Sequence, residues 1–207
     1  MNEYDLRSLP FHDAYKLILG AVIPRPIAWV STISKTGLTN LAPFSFFNAV
    51  CSHPPTLLFS VTVQPDLSEK DTLRNIKETK EFVVHIVDEE NAQLMNQTSA
   101  DFPKDVSEIE VLGIKTLPSK AVRARRIASA KVHMECKLDQ LIPIGDGSLG
   151  SATIVLGRIL YMHIAPEIMQ NGLILAQKLK PVARMGGFQY TPVRDTFEMP
   201  RPKRPVS

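Results

Sequence analysis

Apolar residues along this chain fall into short runs of strand length, separated by turn signals and by a few helical stretches. Ile27 to Ile33 is almost continuous in apolar and β-preferring residues, which predicts a strand covered on both faces. Ser34-Lys35-Thr36-Gly37 reads as a turn, and the chain returns through the Phe-rich stretch Asn40 to Val50. Thr56 to Val63 and Phe82 to Val87 read as further strands. The clearest alternation is Ala130, Val132, Met134, Cys136 and Leu138, with Lys131, His133, Glu135 and Lys137 between them. That period of two predicts a strand with one wet face. After the turn at Gly145-Asp146-Gly147, Ser151 to Ile164 reads as a long strand, with Gly157 marking a bulge or a close backbone approach.

Helical signals are short. A helix is expected from Asp13 to Leu19, with Gly20 as its left-handed stop. Another starts with Ser68 and Asp71 as candidate caps and ends near Thr79. Asp88 to Thr98 turns Ala92 and Met95 inward, and Ser107 to Leu112 is a weaker turn stopped by Gly113. Five or six strands, two of them long, with short helices between, indicate a mainly β chain: an antiparallel barrel with peripheral helices. No repeat or second domain appears, so residues 1–207 read as one domain. Its core spans about 13–190, between an N-terminal arm and a proline-rich tail from Pro192 onward that is extended or mobile. The stretch Lys104 to Arg126 reads as an excursion across the barrel.

Composition narrows the classes. At 207 residues the chain buries a core without disulfide or metal staples. An apolar fraction of 44%, a charged fraction of 22% and a formal charge of +3 are those of an ordinary globular protein and give no case for nucleic acid. Cys51 and Cys136 form no C-x-x-C pair, which fits a reducing, cytoplasmic setting. The acidic, polar start is unlike a signal peptide, and no apolar run approaches the ~20 residues of a spanning helix, so no membrane is expected. The five histidines lack metal-ligand spacing, and no metal is expected.

The chemistry concentrates in Asn40-Leu41-Ala42-Pro43-Phe44-Ser45-Phe46-Phe47-Asn48-Ala49-Val50-Cys51-Ser52-His53-Pro54-Pro55. It is apolar but interrupted by Ser45, Asn48 and Ser52, as suits a wall lying flat against an aromatic heterocycle. A strand and loop whose Ser and Asn satisfy turns is the plain alternative. Thr72 sits at a helix start, where free N–H groups and the helix dipole favour an anion, and Lys70 adds a charge. A solvated helix start is the plain alternative there.

The blocks Pro24 to Thr32, Asn40 to Val50, Pro54-Pro55, Phe59-Ser60, Lys70 to Ile76, Phe82 to Val84 and Pro181 to Gly187 occur in the order of the flavin reductase-like FMN-binding split-barrel family, which the chain resembles over about residues 13–190. The resemblance implies an FMN-binding split barrel, homodimeric, with one FMN per subunit near the interface. It places Ser45, Phe46, Phe47, Asn48, Ala49, Val50 and Cys51 along the isoalloxazine and ribityl chain, largely through backbone groups. Lys70, Asp71 and Thr72 hold the phosphate, with Asp71 read as the helix cap facing the backbone. Ser60 and Arg184, each inside a matching block, complete the cofactor-binding set. His85 stands where the family commonly has Asn, and reads as a buried, satisfied histidine.

The implied activity is that of an NAD(P)H:flavin reductase-like, FMN-dependent oxidoreductase. NADH or NADPH is the donor, and free flavin, oxygen or a redox partner protein is the acceptor. No side-chain acid or base is singled out as catalytic, because hydride transfer to flavin needs none. A non-catalytic, flavoredoxin-like electron carrier is the alternative. A third reading, a cofactor-free interaction barrel, has only Arg123, Arg125 and Arg126 in its favour, and this cluster otherwise covers a surface or pairs with acidic groups at a dimer contact. Cys51 reads as a packing residue, and Trp29 as a core aromatic. Arg25 is expected to recognise phosphate or to hold an interface carboxylate.

Overall fold

The computed structural model describes residues 1–104 and 106–202. In chain order its strands are β1 (Arg25–Pro26), β2 (Ala28–Ile33), β3 (Thr39–Phe44), β4 (Phe47–Ser52), β5 (Pro55–Thr62), β6 (Glu81–Ile86), β7 (Thr116–Leu117), β8 (Arg126–Ile127), β9 (Val132–Ile144), β10 (Ala152–Ile164), β11 (Met169–Gln170), β12 (Leu173–Ile174), β13 (Val182–Arg184) and β14 (Tyr190–Pro192). The helices are α1 (Phe11–Ala21), α2 (Asp71–Thr79), α3 (Ala92–Gln97), α4 (Glu108–Val111) and α5 (Ala176–Leu179), with one 3-10 turn at Pro166–Ile168.

Seven strands pair antiparallel in the order β3–β2–β6–β9–β10–β5–β4. The two edge strands, β3 and β4, are consecutive in the chain. Only Ser45 and Phe46 separate them. The sheet therefore curls into an antiparallel split barrel whose open side lies at this junction, where Ser60 N–H of β5 donates to the Phe46 carbonyl at 2.9 Å and extends the β5–β4 ladder by one pair. The seven-stranded sheet exceeds the five or six strands read from sequence, because β4 is an exposed edge and carries no burial pattern of its own.

The barrel interior is lined by Ala28, Val30, Phe59, Phe82, Val84, Met134, Cys136 and Val155. Phe44, Phe59 and Phe82 pack in sequence, the first pair tilted and the second edge to face, with ring centroids 5.1 and 5.5 Å apart. Leu73 and Ile76 on the inner side of α2 join this core. The opposite face of β2 is also covered: Trp29 packs with Ile27, Leu41, Met95, Ile109 and Ile127 beneath α3, α4 and the segment that follows them. This two-sided cover is why Ile27–Ile33 reads as a continuous apolar run. Gly157 lies at a register shift against β9, and a Cβ there would run into the buried Phe82 ring, so it is both bulge and close approach.

Three local expectations are corrected. Gly20 is not a left-handed stop. The helix runs through it to Ala21, and the carbonyls of Leu19 and Val22 receive the Arg25 guanidinium instead. Neither Ser68 nor Asp71 caps α2: Ser68 sits in a turn on Asp66, and Lys70 holds the cap position with no side-chain bond. The wet face of β9 is dry over its first half, where His133 and Glu135 are buried. The excursion across the barrel covers them, and its backbone N–H groups at Lys120 and Ala121 donate to the Glu135 carboxylate. The tail is extended, and it is fastened where it begins, by Val193 N–H to the Pro181 carbonyl at 2.9 Å and by Arg194 to Glu89 at 2.8 Å. It has no regular element from Val193 to Pro202, and its last residues, 203–207, lie outside the described residues. No helix among the described residues is long and apolar enough to cross a membrane.

Candidate active site

A cleft of about 720 Å³ opens beside the barrel's split. One wall is β3, through Asn40, Ala42, Pro43 and Phe44. One end is the start of α2, through Lys70, Asp71 and Thr72. The facing wall is the Thr98–Lys104 loop, with Glu108 of α4 behind it. A second, smaller pocket of about 130 Å³ shares Pro43 and Ser99 with it, and contains Ser45 and Arg184.

The start of α2 is arranged for an anion. Lys70 holds the cap position in extended conformation, and its carbonyl accepts the N–H groups of Leu73 and Arg74. The N–H groups of Asp71 and Thr72 precede the first intrahelical bond and, among the described residues, meet no side-chain cap. Such orphan donors at the positive end of a helix dipole need an acceptor. Asp71 would oppose one, but its carboxylate lies 2.7 Å from the Arg74 guanidinium. Glu69 is likewise engaged by Lys77. The Thr72 side chain is buried and accepts a hydrogen bond from Asn40 Nδ2 at 2.9 Å, which leaves the hydroxyl proton free to turn toward another acceptor.

Glu108 backs the cleft. It accepts the Leu41 N–H at 2.9 Å. Burial pushes its carboxyl above the usual range; the Leu41 N–H pulls it back, and the neighbouring Asp71 charge adds to the rise. An acid held toward its neutral form repels a bound anion less than its formal charge implies.

The remaining site candidates lie apart from both cavities. Asn48 to Ser52 form the exposed edge of the sheet, with Val50 bare to solvent. Phe46 sits at the split beneath the Arg25 guanidinium, 6.0 Å from its ring centroid. Ser60 belongs to β5 and ties down Phe46 through its backbone. Cys51 is exposed, and its thiol donates to the Pro54 carbonyl at 3.0 Å.

Arg25 departs from expectation. It is buried and gives its terminal nitrogens to the carbonyls of Leu19, Val22 and Met185, so among the described residues it meets no carboxylate and instead joins α1 to the turn after β13. His85 is the satisfied core histidine expected: Nδ1 lies 2.8 Å from the Trp29 carbonyl, and Nε2 accepts the Ile127 N–H at 3.0 Å. Trp29 is a core aromatic whose Nε1 donates to Thr98 at 2.9 Å. Arg123 pairs with this chain's own Glu81 at 3.5 Å, and Arg126 donates to the Pro118 carbonyl. Sequence reasoning missed Asn40 as the partner of Thr72, and missed the Thr98–Lys104 wall entirely. Tyr190 was legible in principle, since Gly186-Gly187 marks the hairpin that brings it opposite Arg184.

Comparison with known proteins identifies the fold. The model of the flavin reductase like domain matches residues 19–181. A curated protein of Halalkalibacterium halodurans is 41% identical over 196 residues, covering 94% of each chain. Nitrilotriacetate monooxygenase component B from Bacillus cereus superposes with a TM-score of 0.92 at 36% identity, over 96% of this chain and 98% of that one. The 2-nitrobenzoate 2-nitroreductase of Pseudomonas fluorescens superposes with a TM-score of 0.87 at 32% identity, over 100% of this chain and 99% of that one. With the match running from Leu19 in α1 to Pro181 just before β13, across all seven strands of the split barrel, the chain belongs to the flavin reductase-like family.

Proposed function

We propose that the protein is an FMN-dependent oxidoreductase of the NAD(P)H:flavin reductase type. One observation carries this reading: the uncapped α2 terminus with Lys70 stands at one end of a cleft whose other end is the barrel split. A phosphate at Lys70, Asp71 N–H and Thr72 would put the ribityl chain along Asn40–Phe44 and the ring toward Ser45. The residues fit such a group because orphan N–H donors supply the phosphate contacts, while Arg74 and Lys77 neutralise the carboxylates of Asp71 and Glu69 beside them. When bound, the flavin supplies two-electron chemistry by accepting a hydride from NADH or NADPH. The protein's own part is to grip the phosphate, hold the ring against Pro43 and Phe44, and limit water at the split.

The other assigned residues, Phe46 to Cys51 and Ser60, form and brace the exposed β4 edge. In this reading they complete the ring wall against a second copy of the chain. The apolar surface left bare by α1 supports such a homodimer: Tyr15, Leu17, Ile18 and Val22 are all exposed, and α1 buries no residue within its own chain. The names of the two structural relatives, a monooxygenase component and a nitroreductase, support redox work in a flavin-type site.

The test is the visible spectrum of purified protein, followed by NADH and NADPH oxidation with added FMN. A flavin spectrum with nicotinamide-dependent turnover supports the reading. Stoichiometric FMN with negligible turnover would move it to an electron carrier, and no flavin binding would remove it.

A further inference from the structure

Two guanidinium groups stand side by side at the split with no carboxylate between them. Arg25 and Arg184 are cross-strand partners on β1 and β13. Among the described residues neither forms an ion pair. Arg25 is 4% exposed, gives its terminal nitrogens to three main-chain carbonyls, and leaves its Nε without an acceptor. Burial, then the charge of Arg184, holds its pKa below the ordinary guanidinium value. A buried, unneutralised cation raises the positive potential felt by any group nearby, since screening there is weak.

Arg184 turns that potential toward a cavity. Its guanidinium lies 4.5 Å from the centre of the Tyr190 ring, its strand partner on β14. One terminal nitrogen donates to the Tyr190 hydroxyl and the other to the Gly187 carbonyl. Tyr190 in turn donates to Asn96 Oδ1 at 3.2 Å. The fork is thus held in place with N–H donors to spare, because a guanidinium carries five. It borders the pocket of about 130 Å³, whose other walls are apolar (Ile27, Pro43, Met95) with hydroxyls at Ser45 and Ser99. The Ser45 hydroxyl has no protein partner among the described residues.

A small pocket that sets Ile27, Pro43 and Met95 beside a fixed, planar cation suits a flat ring bearing a planar anion. We propose that the smaller pocket is a binding subsite for an aromatic carboxylate, with Arg184 on the carboxylate and Pro43 and Met95 against the ring. Because Pro43 and Ser99 also border the larger cleft, the ring would lie beside whatever fills that cleft. Its place next to a flavin rests on the function proposed above; the anion slot itself does not.

The probe is benzoate, titrated into the full-length protein in flavin-free and FMN-loaded forms and followed by saturation-transfer NMR. Benzamide and inorganic phosphate serve as comparisons. Benzoate binds both forms, about tenfold or more tighter than benzamide, as a charge-assisted pair requires. Arg184→Gln abolishes that preference, Arg184→Lys keeps only part of it, and Arg123→Gln leaves it intact. Equal binding of benzamide overturns the proposal, as does full benzoate affinity in Arg184→Gln or an equal loss in Arg123→Gln. Displacement of benzoate by phosphate at equal concentration overturns it too, by marking an unselective anion site. Should Arg184→Gln fail to fold, the Lys variant decides, because it keeps the charge and loses only the planar fork. Intact benzoate binding in a protein that takes up no FMN would sink the flavin assignment alone.

Discussion

The Asp71 carboxylate closes on the Arg74 guanidinium at 2.7 Å within the first turn of α2, and so turns away from the helix start it was expected to cap. Lys70 and two backbone N–H groups are left to meet an anion. Lys70→Ala should therefore weaken FMN binding by about 1–3 kcal/mol, the range for a lost charge-assisted hydrogen bond. Adding Thr72→Ala should weaken it further. Riboflavin, which has no phosphate, should bind both variants as it binds the parent. Fluorescence titration with the two flavins checks this, and an equal loss for riboflavin would move the phosphate elsewhere.

Gly157→Ala should destabilise the fold by about 1–3 kcal/mol, the usual range for overpacking a core. The added methyl meets the Phe82 ring, which is fully buried between β6 and β10 and has no room to retreat. Phe82→Leu in the same chain should return part of the loss, although alone it is destabilising. Urea unfolding of the four proteins in this cycle measures the coupling.

His85 gives stability a pH slope. Burial, then the nearby His133, lowers its pKa from 6.5 to about 3. The unfolded chain takes up a proton below about pH 6.5 that the native state refuses until about pH 3. Stability is then full above pH 6.5 and falls on acidification, by up to about 1.4 kcal/mol per pH unit for this one group. His85→Asn should flatten the curve between pH 6 and 4 by close to one proton. Denaturant midpoints across that interval test it, and parallel curves for the two proteins would refute it.

Glu135 fastens the segment that crosses the barrel. Burial works to raise its pKa, but the N–H groups of Lys120 and Ala121 and the His163 ring prevail and hold the carboxyl below the usual range. Glu135→Ala should release this segment and expose Lys120, Arg123, Arg125 and Arg126 to trypsin. Faster cleavage there, located by mass spectrometry, is the expected result. An unchanged digestion pattern would mean that packing alone holds the segment.

Most of the fold was legible because its strands are the buried ones. β2, β5, β6 and β10 announce themselves by apolar runs, and Gly157 by standing inside one. β4 was harder to see as a separate strand, since an exposed edge has no burial to impose a period. The wet face assigned to β9 failed for a related reason. His133 and Glu135 look like surface residues until a distant segment brings the backbone donors that satisfy them. At the proposed site, Lys70 and Thr72 are candidates on helix-start physics alone. Asn40, Glu108 and the Thr98–Lys104 wall could not, because their roles depend on contacts across tens of residues.

The junction at Ser45-Phe46 gives the barrel an adjustable seam. Every other neighbour in the main sheet is zipped by a ladder of main-chain bonds, but here two edges are tethered by the chain itself, since the Ser60 bond to Phe46 continues the β5–β4 ladder and does not cross the seam. Widening that aperture breaks no ladder, so the mouth can be resized by side-chain substitutions along Pro43–Phe47 while the cylinder keeps its shape. A lineage that needed to admit a bulkier reactant could do so at this hem, without re-registering a single strand.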